Sequence, residues 1–132
     1  MRSIRIPTII ALFMAIVLPA FAQGDIILSF PLRKADGTQA VYQFQVPAAL
    51  PAQPFEQSTA AQHAAGVAAL SWAKNFYNAH DVFLTSVTFK ADPLPHYLAT
   101  FNGDVGGVRQ EFFAVVLAGN SVLEPVRVVA GQ

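Results

Sequence analysis

The side chains that could do chemistry are few and widely spaced. The chain holds three histidines, eight carboxylates and no cysteine. General acid–base catalysis needs a histidine or carboxylate held within hydrogen-bond reach of a second polar group. Two spacings approach that. His80 and Asp81 are adjacent, and Asp92 and His96 flank the turn "DPLPH". Adjacent residues seldom face one another, and a histidine closing a helix is already favoured by the helix dipole. Asp92 and His96 suit a loop contact better than a metal site. Tyr77 and Tyr97 add phenol groups nearby. The candidate polar site is therefore Tyr77, Asp92, His96 and Tyr97.

Other chemistries lack their parts. No glycine elbow surrounds Ser29, Ser58, Ser71, Ser86 or Ser121, so a serine nucleophile has no strained turn to present it. "NGDVGG", Asn102 to Gly107, has glycines but no helix after it, which a phosphate cradle needs. It also has too few acidic oxygens for calcium. Glu111 and Glu124 fall on neighbouring strands, but a glycosidase pair needs a deep cleft. The absence of cysteine removes thiolate zinc sites, cysteine nucleophiles and thiol redox chemistry. The expectation is a non-enzymatic protein without cofactor or metal.

The elements that must position these residues begin after a leader. Met1-Arg2-Ser3-Ile4-Arg5 is basic, Ile6 to Leu18 is apolar, and Ala20-Phe21-Ala22 puts small residues two apart. That is the pattern of a secretory signal peptide. The apolar run is shorter than the roughly 20 residues of a membrane span, and Pro7 and Pro19 bracket it. Residues 1–22 are read as a cleaved leader and 23–132 as one exported domain, periplasmic or extracellular. Without Arg2 and Arg5, six cations face eight carboxylates, a net charge of about −2. Such a domain has no electrostatic footprint for nucleic acid and no basic stripe for a membrane surface. At this length one hydrophobic core suffices without a disulfide.

Period and punctuation then set the fold class. Asp36-Gly37 lies between apolar-rich runs in "DIILSFPLRKADGTQAVYQFQV", which predicts a hairpin on a two-residue type I′ turn. "PAALPAQPFEQ" is a proline-rich connection. "STAAQHAAGVAALSWAKNFYNAHD", Ser58 to Asp81, reads as one long helix with Ser58 as its N-cap. Ala61, Ala65, Ala68, Ala69, Trp72 and Phe76 recur at helical spacing and mark its buried stripe. Its small half lets it lie close to a sheet, and Trp72 should be mostly buried. Period two follows. Phe83, Thr85, Val87 and Phe89 should share a face in Val82–Lys90. Tyr97, Ala99 and Phe101 should share one in the next strand. "GDVGG" reads as a flexible loop, Val108–Ala118 as a third strand and Val122–Val129 as a fourth. The expected fold is α+β: an N-terminal β-hairpin, one long helix, then a four-stranded antiparallel meander packed on the helix.

This order resembles the topology of cystatin-like folds, in which a sheet wraps a helix. The resemblance stops at topology. Cystatins carry Gln-x-Val-x-Gly in the first hairpin after the helix, where this chain has "KADPLPHY".

"EFFAVVLA" is apolar on both faces, with Phe112, Ala114 and Val116 on one and Phe113, Val115 and Leu117 on the other. One helix covers one face. The other needs the hairpin, sheet curling, a ligand or a second subunit, which makes a homodimer through that face an expectation. The functional expectation is a binding or accessory module for an unknown protein or small ligand. Its alternative is a ligand carrier or enzyme with a cone-shaped cavity between curled sheet and helix.

Overall fold

The structure is a computed structural model that describes residues 25–128. The leader reading, residues 1–22, lies outside the described residues. Two strands come first, β1 (Ile26–Arg33) and β2 (Gln39–Gln45), paired antiparallel from Ile26 opposite Gln45 to Arg33 opposite Gln39. Phe30, Leu32 and Phe44 point inward and are buried, whereas Pro31 and Arg33 are exposed. The turn between them is not the two-residue turn that Asp36-Gly37 predicts. Lys34 to Thr38 form a longer loop, closed by Lys34 N–H to the Thr38 carbonyl (2.9 Å) and Gly37 N–H to the Lys34 carbonyl (3.0 Å). Asp36 keeps negative φ and accepts from the Thr38 N–H and hydroxyl, so only Gly37 is left-handed.

The helix α1 (Thr59–Phe76) starts where the sequence places it. Ser58 is extended, and its hydroxyl accepts from Ala61 N–H, one of the orphan donors of the first turn. It stops earlier than the sequence suggests. Asn78 adopts φ 53°, a left-handed conformation that asparagine tolerates, and this ends the helix. His80 and Asp81 therefore belong to the following strand and do not close the helix.

Four strands follow in β3 (His80–Lys90), β4 (His96–Val105), β5 (Val108–Leu117) and β6 (Ser121–Leu123), paired in that order. The fourth strand of the expected meander is divided. Glu124 and buried Pro125 interrupt it, since proline cannot donate to a ladder. The remainder, β7 (Val126–Val128), crosses to the hairpin and pairs with β2, which makes a second sheet in the order β1-β2-β7. "GDVGG" is mostly strand. The turn is Gly106-Gly107 alone, both at positive φ (60° and 83°), and it carries the two-residue turn geometry that the first hairpin lacks.

α1 is held between the two sheets. Ala65, Gly66, Ala69 and Ala73 are buried, the first three in the small-residue half that was expected to lie on a sheet. A Cβ added to Gly66 would sit 3.1 Å from both Leu84 and Val87, so the backbone runs against β3 with no space to spare. The aromatic end faces the other sheet. Trp72 stacks on Phe76 (4.7 Å between centroids) and tilts against Phe44 of β2, and Phe76 meets Tyr42 edge-on. Trp72 is partly buried and packs against the core from its edge.

A bulge changes the faces of β3. Its register shifts between Leu84 and Ser86, so Thr85 is the extra residue. Phe83 consequently lies on the opposite face from Val87 and Phe89 and is exposed, contrary to the simple alternation. β4 keeps its alternation, with Tyr97, Ala99, Phe101, Gly103 and Val105 buried. The second face of β5 is covered from within the chain. Phe113 meets Phe30 of the hairpin edge-on at 5.2 Å, and Val115 is fully buried.

Candidate functional site

The four candidate side chains do not converge. Tyr77 caps the C-terminal end of α1 and Tyr97 holds its N-terminal end, and the 18-residue helix between those ends is about 27 Å long. Tyr77 is buried, donates to the Phe113 carbonyl at 2.8 Å and touches Phe112 edge-on. Burial pushes its phenol well above the usual range, so it stays protonated. The Tyr97 hydroxyl accepts from Ser58 N–H (3.2 Å) and donates to the Glu56 carbonyl (3.1 Å), which ties the proline-rich connection to the start of the helix. Asp92 is exposed on the turn. Among the described residues no three His, Cys, Asp or Glu side chains gather as a metal site.

His96 is 2% exposed, and its Nδ1 lies 2.8 Å from the Leu94 carbonyl. A carbonyl only accepts, so Nδ1 carries the proton. Burial lowers the pKa of the ring below that of a free histidine, and Lys90, its cross-strand partner, lowers it further. The bond to Leu94 acts the other way, more strongly than Lys90 but less than burial, so the net shift stays downward. A base whose folded pKa is depressed lends stability above its unfolded pKa, near 6.5, and that stability is lost as pH falls. The melting temperature should therefore drop as pH goes from 7 to 5, and the drop should shrink in His96→Asn. Asp36, whose pKa is lowered chiefly by the Thr38 N–H, titrates below this window. An unchanged drop in His96→Asn would assign the acid sensitivity to other groups.

One polar side chain that the sequence does not single out is central to the architecture. Gln110 is buried on β5. Its Oε1 accepts from Arg33 N–H (2.9 Å), and its Nε2 donates to the carbonyls of Arg33 (2.8 Å) and Val105 (3.1 Å). It joins the two sheets. "VRQEFF" offers no local hint of this, because its partner strand is 77 residues away.

Two surface features remain free. The first is the edge of β3. Among the described residues this strand has one strand neighbour only. Beside it lies a groove of about 360 Å³ between α1 and β3, lined by Gly66, Val67, Leu70, Leu84 and Val87. Val67 is 59%, Leu84 38% and, on the other face of the strand, Phe83 62% exposed. Arg109 extends over the Phe83 ring at 5.3 Å while pairing with Asp104 at 3.1 Å. Gln62 donates its amide to the Val87 carbonyl and shields part of the edge.

The second is a cleft of about 440 Å³ at the C-terminal end of α1, between that end, the β1–β2 turn and the Gly106 turn. Its walls include Tyr42, Phe76 and Tyr77, and its rim carries Arg33, Lys34 and Arg127. Arg127 stands opposite Tyr42 in the β2–β7 pairing. Two of these cations come from the hairpin and one from a strand more than ninety positions later, so sequence spacing conceals the cluster.

Among the described residues no helix is long and apolar enough to cross a membrane. No family model matches this chain, and neither a curated protein nor a solved structure matches it.

Proposed function

We propose that this protein is a small exported, non-enzymatic binding module that meets a protein partner along the β3 edge, and that the first such partner is a second copy of itself. The observation that carries the reading is the exposed apolar set Val67, Leu84 and Phe83 beside a strand with a free edge. An edge strand is a template for pairing, and proteins usually blunt it with charge. Here Val82 to Phe89 carries no ionisable side chain, and the charges stand at the ends, Asp81 at one and Lys90 at the other. Antiparallel pairing of β3 with its own copy, in the register centred between Thr85 and Ser86, sets each Asp81 opposite the other chain's Lys90. Pairing requires Gln62 to release the Val87 carbonyl, a cost of about 0.5–1.5 kcal/mol. Burial of three apolar side chains per chain outweighs it at about 25 cal/mol per Å².

The non-enzymatic part of the reading is supported by the positions of the candidate residues: the polar atoms of Tyr77, His96 and Tyr97 bond the backbone, and Asp92 stands exposed on its turn away from them. Export is supported by the pattern of residues 1–22. Sedimentation velocity on the chain from Gln23 tests the contact. The expected result is a dimer at tens of micromolar that dissociates in Val67→Glu and in Leu84→Glu. Val67→Glu should keep the folded monomer intact, because Val67 is 59% exposed, whereas Leu84→Glu also loosens the contact with Gly66 and should melt lower. A clean monomer at every concentration would remove the dimer.

A further inference from the structure

We infer that the cleft at the C-terminal end of α1 binds a small anionic ligand with a flat apolar body, of the class of aromatic carboxylates and sulfonates. Three observations lead there. The first is charge. Arg2 and Arg5 apart, the chain has six cations, and three of them, Arg33, Lys34 and Arg127, ring this one cleft. Among the described residues no carboxylate lines it, in a domain that carries more carboxylates than cations. Among the described residues none of the three pairs with an acid within salt-bridge distance, and the Arg109–Asp104 pair lies elsewhere. Asp36, in the same turn, feels the Lys34 charge but is hydrogen-bonded to Thr38 and forms no ion pair with Lys34.

The second is the wall. Tyr42, Phe76 and Tyr77 form an edge-to-face group, with Phe76 5.1 Å and Tyr42 5.8 Å from Tyr77. Such a group accepts a planar body. The third is size, since about 440 Å³ falls within the roughly 300–1,000 Å³ usual for small-molecule sites. The helix end does not repel the anion strongly. Three of its last four carbonyls, those of Ala73, Lys74 and Asn75, are taken by the N–H groups of Tyr77, Ala79 and Asn78. The division of labour follows from exposure. Rim charges that stay wet orient and select, while the aromatic wall supplies contact area.

The test uses 8-anilinonaphthalene-1-sulfonate as the probe and N-phenyl-1-naphthylamine, the same body without the sulfonate, as its neutral control. Trp72, which stacks on the cleft residue Phe76, reports binding, and the cation variants report its location. The expected result is one saturable sulfonate site per chain, with Trp72 emission quenched by transfer to the probe. The neutral analogue should bind at least about tenfold more weakly, and affinity should fall as salt rises. Combined Arg33→Gln, Lys34→Gln and Arg127→Gln should weaken the sulfonate at least tenfold, whereas Lys74→Gln, outside the cleft, should not. All four positions are exposed, so the melting temperatures should match, and equal melting excludes probe binding to loosened chains. Equal affinity for the neutral analogue, unchanged binding in the triple variant, or no sulfonate binding with Trp72 quenching would each overturn the inference. The dimer reading is independent, because Val67→Glu should leave probe binding intact.

Discussion

Phe112→Ala should lower the unfolding free energy by about 3–5 kcal/mol, the loss typical of truncating a buried phenylalanine. Phe112 has no exposed surface. It stacks on Phe101 of the neighbouring strand at 5.5 Å and meets Tyr77 of the helix cap edge-on at 5.2 Å. Removing the ring opens a hole that small neighbours cannot fill, because Ala69, Ala73, Ala99 and Ala114 surround the core with side chains too short to move in. A domain of this size holds only about 5–15 kcal/mol in total, so the variant should sit near its unfolding threshold. Trp72→Ala is the informative comparison. Trp72 is large but only partly buried, so its loss should cost less than Phe112→Ala. Urea unfolding of the two variants decides the order. A larger loss for Trp72→Ala would mean that the rim between α1 and the hairpin sheet, not the α1–β5 contact, is the main core.

Gln110→Leu should cost about 3 kcal/mol although it makes the side chain more apolar. The change leaves the Arg33 N–H and the Arg33 and Val105 carbonyls without their partner. Each buried polar group left unpaired costs about 1–3 kcal/mol. Gln110→Glu separates this account from a packing effect. A carboxylate still accepts from Arg33 N–H, but its second oxygen then faces two carbonyls. Its folded pKa should rise above the unfolded value near 4.3. Stability of Gln110→Glu should thus be retained below that value and lost as pH rises through the folded pKa. Melting curves at pH 4 and pH 8 test the sign. Each value is compared with the parent at the same pH, because His96 already makes the parent less stable in acid, and a difference from the parent that is equal at both would show that the Gln110 bonds do not join the sheets. Because Gln110 anchors Arg33, the same variants should also raise hydrogen exchange at Arg33 and Lys34.

Local structure was legible wherever one residue type decides a backbone state. Ser58 announces the helix start, because a hydroxyl at that point satisfies a donor that nothing else can. The alanine-glycine stripe announces a close helix–sheet contact, and the alternation of Tyr97, Ala99 and Phe101 announces a buried face. The α+β order followed from these periods. What the periods did not contain was long-range choice. Asp36-Gly37 carries a turn dipeptide, yet the two-residue turn formed at Gly106-Gly107, because the Thr38 N–H and hydroxyl hold Asp36 away from the left-handed region. The Thr85 bulge reversed the facing of Phe83, since one inserted residue flips the parity of a strand. Pro125 signals only that pairing stops. That β7 then joins β2 across the molecule depends on where the hairpin already lies. The candidate polar site suffered in the same way. Tyr77 and Tyr97 are close in sequence terms to His96 and Asp92, but α1 sets the two tyrosines at opposite ends, and each hydroxyl already has a backbone partner. The cation cluster and the Gln110 junction were invisible for the complementary reason. Their members lie up to 94 positions apart, and only sheet pairing and curling around the helix bring such residues together.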